Sequence, residues 1–257
     1  MTFVPKVRSL AKNLAGRDFV VGDLHGCLTD LIDILREIDF DPSKDRLLSV
    51  GDLADRGPDS WGCLALLAEP WFYAVKGNHE DLLLDHLGIS PSAIYYSPFD
   101  FENNGGGWYK NEKRPENADL LLSLVADLPH VLVVGNDASE GRFHVVHGEL
   151  SVRTRDWGLH VFDDREIDMW RVGIPVAFSL KEDEILWERK IFSGGGEKLE
   201  KRIPVLSPTF CGHTIVDEVT VRASHIDLDT GAFRGHWGRK SGKLTVVEAR
   251  SFIGNIG

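Results

Sequence analysis

The chain has 257 residues, of which 42% are hydrophobic and 27% are charged, as in an ordinary water-soluble globular protein of one or two domains. This composition excludes a disordered, collagen-like or coiled-coil chain, and no apolar run approaches the roughly 18 residues that a membrane span needs. The 29 Lys and Arg against 40 Asp and Glu give a formal charge of −11. Such a charge argues against a nucleic-acid partner, and an anionic substrate would need local positive charge at its site.

Three cysteines, Cys27, Cys63 and Cys211, make no disulfide framework and fit a reducing compartment, so we expect a cytoplasmic location. The first 17 residues are basic, lack acids and contain no continuous apolar core, so they are not a secretory signal. We interpret them as a frayed basic leader, with a transit peptide as the alternative.

Short apolar strands alternate with amphipathic helices in the first third of the chain, which indicates βαβ units of an α/β fold. Helical spacing of apolar residues predicts the first helix, and turn residues bound the strands. We predict strands at 17–23, 47–50 and 72–75, and helices at 28–38 and near 59–68.

The second half of the chain predicts fewer helices. We expect a helix near 116–127 and strands at 130–134, 143–147, 208–212 and 225–229, with Gly135, Asn136, Asp137 and Gly141 marking a turn.

We interpret residues 1–257 as a single domain that contains one insertion or cap and one solvated loop. The stretch 151–182 is polar and irregular and includes Trp157 and Trp170, so we interpret it as an insertion or a cap over the core. Three glycines at 194–196, followed by a charged run, predict a mobile solvated loop.

Five of the predicted strands end in a residue that can bind a metal ion. These residues are Asp23 with His25, Asp52, Asn78, His147 and His213. Ligands of α/β sheets bind outside the carboxyl ends of the strands, so these side chains could converge at one edge of the core. Carboxylate, imidazole and amide groups suit Mn, Fe or Zn, and Asp52 is a candidate bridge between two cations. Two divalent cations, with Arg56 beside them, would attract a phosphate despite the bulk charge.

The motifs around these residues resemble the signature of the calcineurin-like metallophosphoesterases, and more narrowly of the phosphoprotein phosphatase family. Within that family they are most similar to the phage-lambda-type and bacterial serine/threonine protein phosphatases. The resemblance covers nearly the whole chain, is weakest over 151–182 and 193–205, and implies a four-layer α/β/β/α sandwich. The motifs are Gly22-Asp23-Leu24-His25-Gly26, Gly51-Asp52-Leu53-Ala54-Asp55-Arg56-Gly57, Gly77-Asn78-His79-Glu80, His147-Gly148 and Gly212-His213-Thr214.

The resemblance implies a metal-dependent hydrolase of phosphoserine and phosphothreonine monoesters, in which a hydroxide bridging two cations attacks phosphorus directly. We expect manganese, with iron or zinc as alternatives, and a phosphorylated protein or small phosphoester as substrate, but no nucleic-acid or membrane partner. One cation would bind Asp23, His25 and Asp52, and the second would bind Asp52, Asn78, His147 and His213.

The same resemblance implies four further roles. His79 would protonate the leaving oxygen as general acid, and Asp55 would orient the His79 imidazole. Arg56 would bind phosphate oxygens, and Arg189, in the pattern Trp187-Glu188-Arg189, would be the second phosphate-binding arginine.

Two features depart from the family pattern. Glu149 follows His147-Gly148 where many members carry glycine, which leaves the loop shape near the second cation open. The stretch 151–182 is longer than in the phage enzyme, which leaves the choice of substrate open.

Other functions remain possible on the same core. A symmetrical dinucleoside tetraphosphatase usually lacks an acid at the position of Asp55 and ends its third motif in Asp, so Asp55 and Glu80 favour the protein phosphatase. Broader phosphodiesterase activity is a further alternative. A binding module that has lost catalysis is disfavoured, because every proposed ligand is present together with His79, Asp55 and Arg56.

Some residues keep a structural interpretation. The stretch 103–108 is either a simple turn or a substrate-facing loop. Cys27 and Cys211 are expected to be packing residues, with oxidant sensing or metal binding as alternatives. Six histidines match no motif and are expected to be structural: His86, His130, His144, His160, His225 and His236.

Overall fold

The structure is a computed structural model that describes residues 3–89, 94, 96–97, 99–136, 141–154, 158–178, 180–193, 199–238 and 242–253. Trp157, Asp137 and the glycines at 194–196, on which three sequence expectations depend, lie outside the described residues. Within the described ranges no helix has both the length and the apolarity that a membrane crossing requires.

The first sheet is built from the predicted βαβ units. Its four strands lie in the spatial order β12-β2-β3-β4, and β2, β3 and β4 run parallel, whereas β12 is antiparallel to β2. Because parallel strands end at the same edge, the residues that follow β2, β3 and β4 lie side by side. The strands are β2 (Asp18–Val21), β3 (Arg46–Ser49), β4 (Phe72–Ala74) and β12 (Val246–Glu248).

The second sheet is mixed and has six strands in the order β1-β5-β6-β9-β11-β10. Strands β6 and β9 pair in parallel, so the residues that follow them also leave at a common edge. The strands are β1 (Val7–Leu10), β5 (Val131–Val134), β6 (Phe143–Val145), β9 (Thr209–Cys211), β10 (Thr220–Arg222) and β11 (His225–Asp227). A separate antiparallel hairpin pairs β7 (Ser151–Arg153) with β8 (Leu159–Val161).

The two sheets and the helices on their outer faces form four layers, and three apolar clusters fill the spaces between adjacent layers. Between the two sheets, Val20 and Leu48 of the first pack with Leu132 and Phe210 of the second. The outer face of the first sheet packs against α1 (Leu28–Glu37), α2 (Ser60–Ala65), α3 (Asn78–His86) and α5 (Ala118–Ala126). The outer face of the second sheet packs against α6 (Asp164–Arg171), α7 (Glu182–Trp187) and α8 (Lys190–Ser193). The predicted α/β/β/α sandwich is therefore confirmed.

Shorter elements complete the described part of the chain. They are α4 (Trp108–Asn111), α9 (Ala232–His236), 3-10 turns at Leu66–Ala68 and Ala249–Ser251, and a π-helical turn at Glu102–Gly106.

Two expectations about the chain differ from the structure. Residues 7–10, expected within a frayed leader, form β1, which pairs in parallel with β5 through contacts such as Val7 with Val131. The stretch 151–182, expected to be irregular, contains the β7–β8 hairpin and α6. A carboxylate of Asp163 accepts the backbone N–H of Glu166 at 2.9 Å and caps α6, whose buried Ile167 and Trp170 pack on the second sheet.

The packing between the sheets predicts the effect of Phe210→Ala. Phe210 is fully buried in β9 and contacts the Phe143 ring edge-on at 5.6 Å between centroids. We expect urea denaturation to show a loss of about 3–5 kcal/mol in the free energy of unfolding. The matched control is Phe99→Ala, because Phe99 is 69% exposed; its effect should stay within about 0.5 kcal/mol. Equal losses would contradict the packing described here.

Candidate active site

The ends of five strands bring ligand-type side chains into one buried cluster around Asp52. Its Oδ2 lies 3.6 Å from His25 Nε2 and 3.8 Å from His79 Nε2, whereas its Oδ1 lies 3.4 Å from His147 Nε2. Two groups whose ligand atoms lie within 4.8 Å of one another share this residue: one contains His25 and His79, the other His147 and His213. The two oxygens of one carboxylate thus face different groups, which is the arrangement that a bridging ligand needs.

Asn78 and Asp23 lie beside this cluster. The Oδ1 of Asn78 is 2.7 Å from His147 Nε2. Asp23 belongs to neither 4.8 Å group, but its carboxylate accepts the backbone N–H of His213 at 3.2 Å. The structure therefore gathers the six predicted ligands in one region, with Asp23 at its border.

Backbone carbonyls orient three of the imidazoles. Each of the three rings donates one N–H to a carbonyl oxygen, so the other ring nitrogen keeps its lone pair for the cluster. The bonds join His25 Nδ1 to Ala54 O (3.0 Å), His147 Nδ1 to Val50 O (2.9 Å) and His213 Nε2 to Trp187 O (3.0 Å).

The arrangement around His147 fits a divalent cation. With its Nδ1–H bonded to Val50, the neutral ring presents a lone pair at Nε2 to the Oδ1 atoms of Asn78 and Asp52. Three electron-pair donors facing one another repel unless a positive charge joins them. The oxygen and nitrogen donors are of the kind that Mn, Fe and Zn accept.

Electrostatics separate the cluster into neutral rings and a charged carboxylate. Burial lowers the pKa of His25, His147 and His213, which favours the unprotonated form that metal binding requires. Burial alone would raise the pKa of Asp52, but the surrounding imidazoles outweigh it and lower that pKa. The pKa of Asp23 is raised, first by burial and then by repulsion from neighbouring carboxylates including Asp52. A cation beside these two carboxylates would relieve that repulsion.

His79 differs from the other three rings because a carboxylate, and no carbonyl, contacts its Nδ1. The Nδ1–H donates to Asp55 Oδ2 at 2.5 Å, and Asp55 is fully buried. Burial lowers the pKa of His79, but the Asp52 and Asp55 carboxylates outweigh it, so the net shift is upward. Its Nε2 is buried and has no hydrogen-bond partner among the described residues. This ring is therefore arranged to carry a proton into the site.

Trp108 fixes Asp55 in turn. Its indole N–H donates to Asp55 Oδ1 at 2.5 Å, and its ring packs edge-on against Trp61 at 5.0 Å. The backbone N–H of Arg56 donates to the carbonyl of Gly105 at 3.4 Å, in the same segment. Residues 103–108, predicted to be either a simple turn or a substrate-facing loop, thus support Asp55 and Arg56. The sequence does not indicate this role, because the contacts join residues far apart in the chain.

Glu80 fixes the backbone of the central carboxylate. Its side chain accepts the N–H groups of Asp52 (2.9 Å), Leu53 (2.8 Å) and Gly77 (2.8 Å). Burial and the nearby Asp52 charge raise the pKa of Glu80 to about 7. In the sequence, Glu80 only distinguishes protein phosphatases from symmetrical dinucleoside tetraphosphatases. Its contacts with the backbone around Asp52 are visible in the structure alone.

Glycine is required where the backbone approaches the two site carboxylates. A Cβ at Gly77 would lie 2.2 Å from Asp52 Oδ1, and a Cβ at Gly212 would lie 2.0 Å from Asp23 Oδ1. Both distances are far below van der Waals contact, so these motif glycines are explained by steric exclusion.

Several non-glycine residues at the site adopt left-handed backbone conformations. Such conformations cost of order 1–3 kcal/mol each and occur preferentially at functional sites. The residues are His25 (φ 42°), Asp52 (φ 50°), Asp55 (φ 73°), Arg56 (φ 70°) and His213 (φ 67°).

The two predicted phosphate-binding arginines flank the cluster. Arg56 Nη1 donates to His25 Nε2 at 2.7 Å, and its guanidinium lies 4.8 Å above the Phe233 ring, a contact that the sequence did not reveal. Arg189 Nη1 donates to the carbonyl of His213, and its Nη2 lies 3.3 Å from His213 Nδ1. Positive charge therefore borders both groups of imidazoles.

The remaining histidines and cysteines have structural surroundings. His144 and His225 are fully buried, and His130 and His160 bond to carboxylates of Glu182 and Glu166. Cys27 and Cys211 are buried free thiols. Cys27, Asp30 and His236 form a third group of ligand-type atoms. Burial, and then the nearby Asp30 charge, raise the pKa of the Cys27 thiol to about 12. This shift disfavours the thiolate form that would bind a metal.

Comparisons with known proteins agree with this fold. The model of the calcineurin-like phosphoesterase family matches residues 19–238. Serine/threonine-protein phosphatase 1 of Salmonella typhimurium (strain LT2) is 36% identical over 234 residues, which are 89% of this chain and 90% of the relative. Serine/threonine-protein phosphatase 2 of Escherichia coli (strain K12) is 31% identical over 219 residues, 83% of this chain and 87% of the relative.

Other similarities are shorter or more distant. A symmetrical bis(5'-nucleosyl)-tetraphosphatase of Yersinia enterocolitica (serotype O:8 / biotype 1B) is 43% identical over 75 residues, 28% of this chain and 26% of the relative. Among solved structures, a serine/threonine phosphatase from Saccharomyces cerevisiae superposes with a TM-score of 0.52 at 18% identity, over 90% of this chain and 73% of that one. A structure provisionally described as a diadenosine tetraphosphatase gives 0.61 at 23% identity, over 94% of this chain and 92% of that one.

The fold and its site define a phosphoester hydrolase of the kind that uses divalent metal ions. The chain belongs to the calcineurin-like phosphoesterase family, and its similarity to bacterial serine/threonine protein phosphatases extends over most of its length.

The hydrogen bond between Trp108 and Asp55 predicts that Trp108→Phe destabilises the protein more than Trp61→Phe does. Trp108→Phe leaves a buried carboxylate oxygen without its donor, so we expect a loss of about 1.5–3 kcal/mol in the free energy of unfolding. Trp61→Phe is the matched control, because the Trp61 indole N–H has no partner among the described residues. Urea denaturation of both variants measures the difference, and a loss no larger for Trp108→Phe would refute the bond's contribution.

Proposed function

We propose that the chain is a divalent-metal-dependent phosphatase that hydrolyses phosphoserine and phosphothreonine monoesters in proteins. The observation that carries the proposal is that His79 has a different hydrogen-bond partner from the other three imidazoles of the cluster. Three imidazoles with lowered pKa are bonded to carbonyls around Asp52. His79 is instead bonded to Asp55, and its Nε2, which faces the same cluster, has no hydrogen-bond partner among the described residues. Metal ligands beside a proton donor are what hydrolysis of a phosphomonoester requires.

For the metal centre we propose two sites that share Asp52. When bound, divalent cations would neutralise phosphate charge and lower the pKa of a water molecule. Manganese is our first choice because the chain resembles bacterial phosphatases, and iron and zinc suit the same ligands. The first site would comprise Asp23, His25 and Asp52, and the second Asp52, Asn78, His147 and His213.

The protein's own groups would then bind the ester and move its proton. Arg56 and Arg189 would bind the phosphate oxygens from the two sides of the cluster, since a guanidinium matches phosphate geometry with paired N–H donors. His79 would donate the proton at Nε2 to the leaving oxygen, and Asp55 would keep the imidazole oriented through Nδ1.

The identities favour a protein ester over a dinucleotide as substrate. The similarity to protein phosphatases covers 89% of the chain, whereas the similarity to symmetrical tetraphosphatases covers 28%. Asp55 and Glu80, which the sequence analysis associated with protein phosphatases, are both buried and fully engaged at the site. A tetraphosphatase remains the rival that an experiment must test.

The substrate class is tested by supplying both candidates to the manganese-loaded protein. We expect faster phosphate release from a phosphoserine or phosphothreonine peptide than nucleotide release from diadenosine tetraphosphate, compared as kcat/KM. A preference for the dinucleotide would reject the proposed substrate class while keeping the hydrolase.

The proposed role of His79 predicts a dependence on the leaving group. His79→Asn should reduce kcat on an alkyl phosphate by about 100-fold or more, because general acid catalysis is lost. An activated aryl phosphate has a leaving group that needs less protonation, so its kcat should fall much less. Steady-state rates on the two esters measure this difference.

Metal analysis separates this role from a purely structural one. His79→Asn should keep the bound metal of the wild type, whereas Asp52→Asn should lose it. Loss of metal from both variants would make His79 a ligand and not the proton donor.

A further inference from the structure

Glu149, which directly follows His147-Gly148, has a buried side chain with a specific set of contacts. It is 1% exposed, and both oxygens accept the backbone N–H of Ile191 at 2.8 Å. Oε1 also accepts the N–H of Phe192 at 3.2 Å, and Oε2 accepts the hydroxyl of Ser151 at 3.2 Å. A carboxylate occupied in this way is a partner of the backbone and lies outside the two groups around Asp52.

The bonded N–H groups belong to the residues immediately after Arg189. Ile191 and Phe192 lie in α8, whose first N–H groups have no acceptor within the helix. Ile191 is itself 1% exposed in the cluster on the outer face of the second sheet. Without Glu149 its buried N–H would lose its acceptor, and the start of α8 would lose its fixed position.

The neighbouring Gly148 makes a second contact with the same segment. Its N–H donates to the carbonyl of Ile185 at 3.2 Å. Two consecutive residues after the proposed ligand His147 thus contact both ends of the stretch 185–192. Within that stretch, Trp187 and Arg189 contact His213.

We propose that Glu149 is a positioning residue that fixes Arg189 beside the phosphate site through the backbone of Ile191 and Phe192. This inference rests on the proposed phosphatase function, because Arg189 matters there as a phosphate ligand. The two arginines then have different supports: Arg56 has a left-handed backbone and packs its guanidinium over the Phe233 ring, and Arg189 depends on a carboxylate from the neighbouring strand end.

The test is a double-mutant cycle of Glu149→Gln and Arg189→Ala in the manganese-loaded protein. The measurements are kcat and KM on an aryl phosphate, the inhibition constant of inorganic phosphate, and bound metal. Gln keeps the shape of Glu but replaces one acceptor oxygen by an N–H donor. We expect Glu149→Gln to lower kcat/KM by about tenfold to about 100-fold, mainly through KM, and to weaken phosphate inhibition, with bound metal unchanged.

The cycle distinguishes positioning from a general structural effect. If Glu149 acts through Arg189, the double variant should be no worse than Arg189→Ala alone. Asp163→Asn is the matched control, because Asp163 is also a carboxylate that caps a short helix on the second sheet. In the described part of the chain its hydrogen bonds are with Glu166 and Ile167 of that helix. This control variant should lower the thermal midpoint and leave kcat/KM unchanged.

Several outcomes would overturn the inference. They are additive losses in the double variant, loss of metal in Glu149→Gln, or wild-type kinetics in that variant while the wild type hydrolyses the ester. If Glu149→Gln does not fold, Glu149→Asp keeps the charge, withdraws the carboxylate by one methylene and must give the same KM effect. If the wild type itself hydrolyses no phosphoester, the proposed function fails and this inference fails with it.

Discussion

The buried carboxylate of Asp52 is the feature on which the rest of the site depends. Burial of a charge is expensive unless partners surround it, and here its two oxygens face separate groups of imidazoles. The fold provides these partners because two sheets present their parallel strand ends to one region, β2, β3 and β4 from the first and β6 with β9 from the second. Glu80 then fixes the Asp52 backbone, so the position of this carboxylate follows from the sheets and not from loop packing.

The fixed position of the Asp52 carboxylate requires unfavourable backbone conformations around it. Left-handed conformations at His25, Asp52 and Asp55 are each unfavourable for a non-glycine residue, and they persist only where neighbouring contacts determine them. The apolar layer between the sheets, with Val20, Leu48 and Phe210 fully buried, offsets this strain. Stability and site geometry therefore have a common origin in the packing of the two sheets.

The sequence predicted the strands that carry the ligands, since local apolar runs end in motif residues at the same sheet edge. It did not predict β1, because Val7–Leu10 pairs with β5 far along the chain, and only two of its four residues are apolar. Trp108 and Phe233 were missed for a similar reason, because their contacts with Asp55 and Arg56 are tertiary. In 151–182 the polar composition concealed the capped helix α6, whose few apolar residues, such as Trp170, are buried.

Four imidazoles of similar burial differ in the direction of their pKa shift because of the groups around each one. At His25, His147 and His213 burial is the largest influence and lowers the pKa, against hydrogen bonds to backbone carbonyls that act to raise it. At His79 burial also acts to lower the pKa, but the charge of Asp52 and then the Asp55 carboxylate outweigh it and raise the pKa. Arg56 and Arg189 place positive charge beside the buried carboxylates of a chain whose formal charge is −11. Identical side chains thus have pKa values shifted in opposite directions by their surroundings, a difference that residue type and spacing alone do not show.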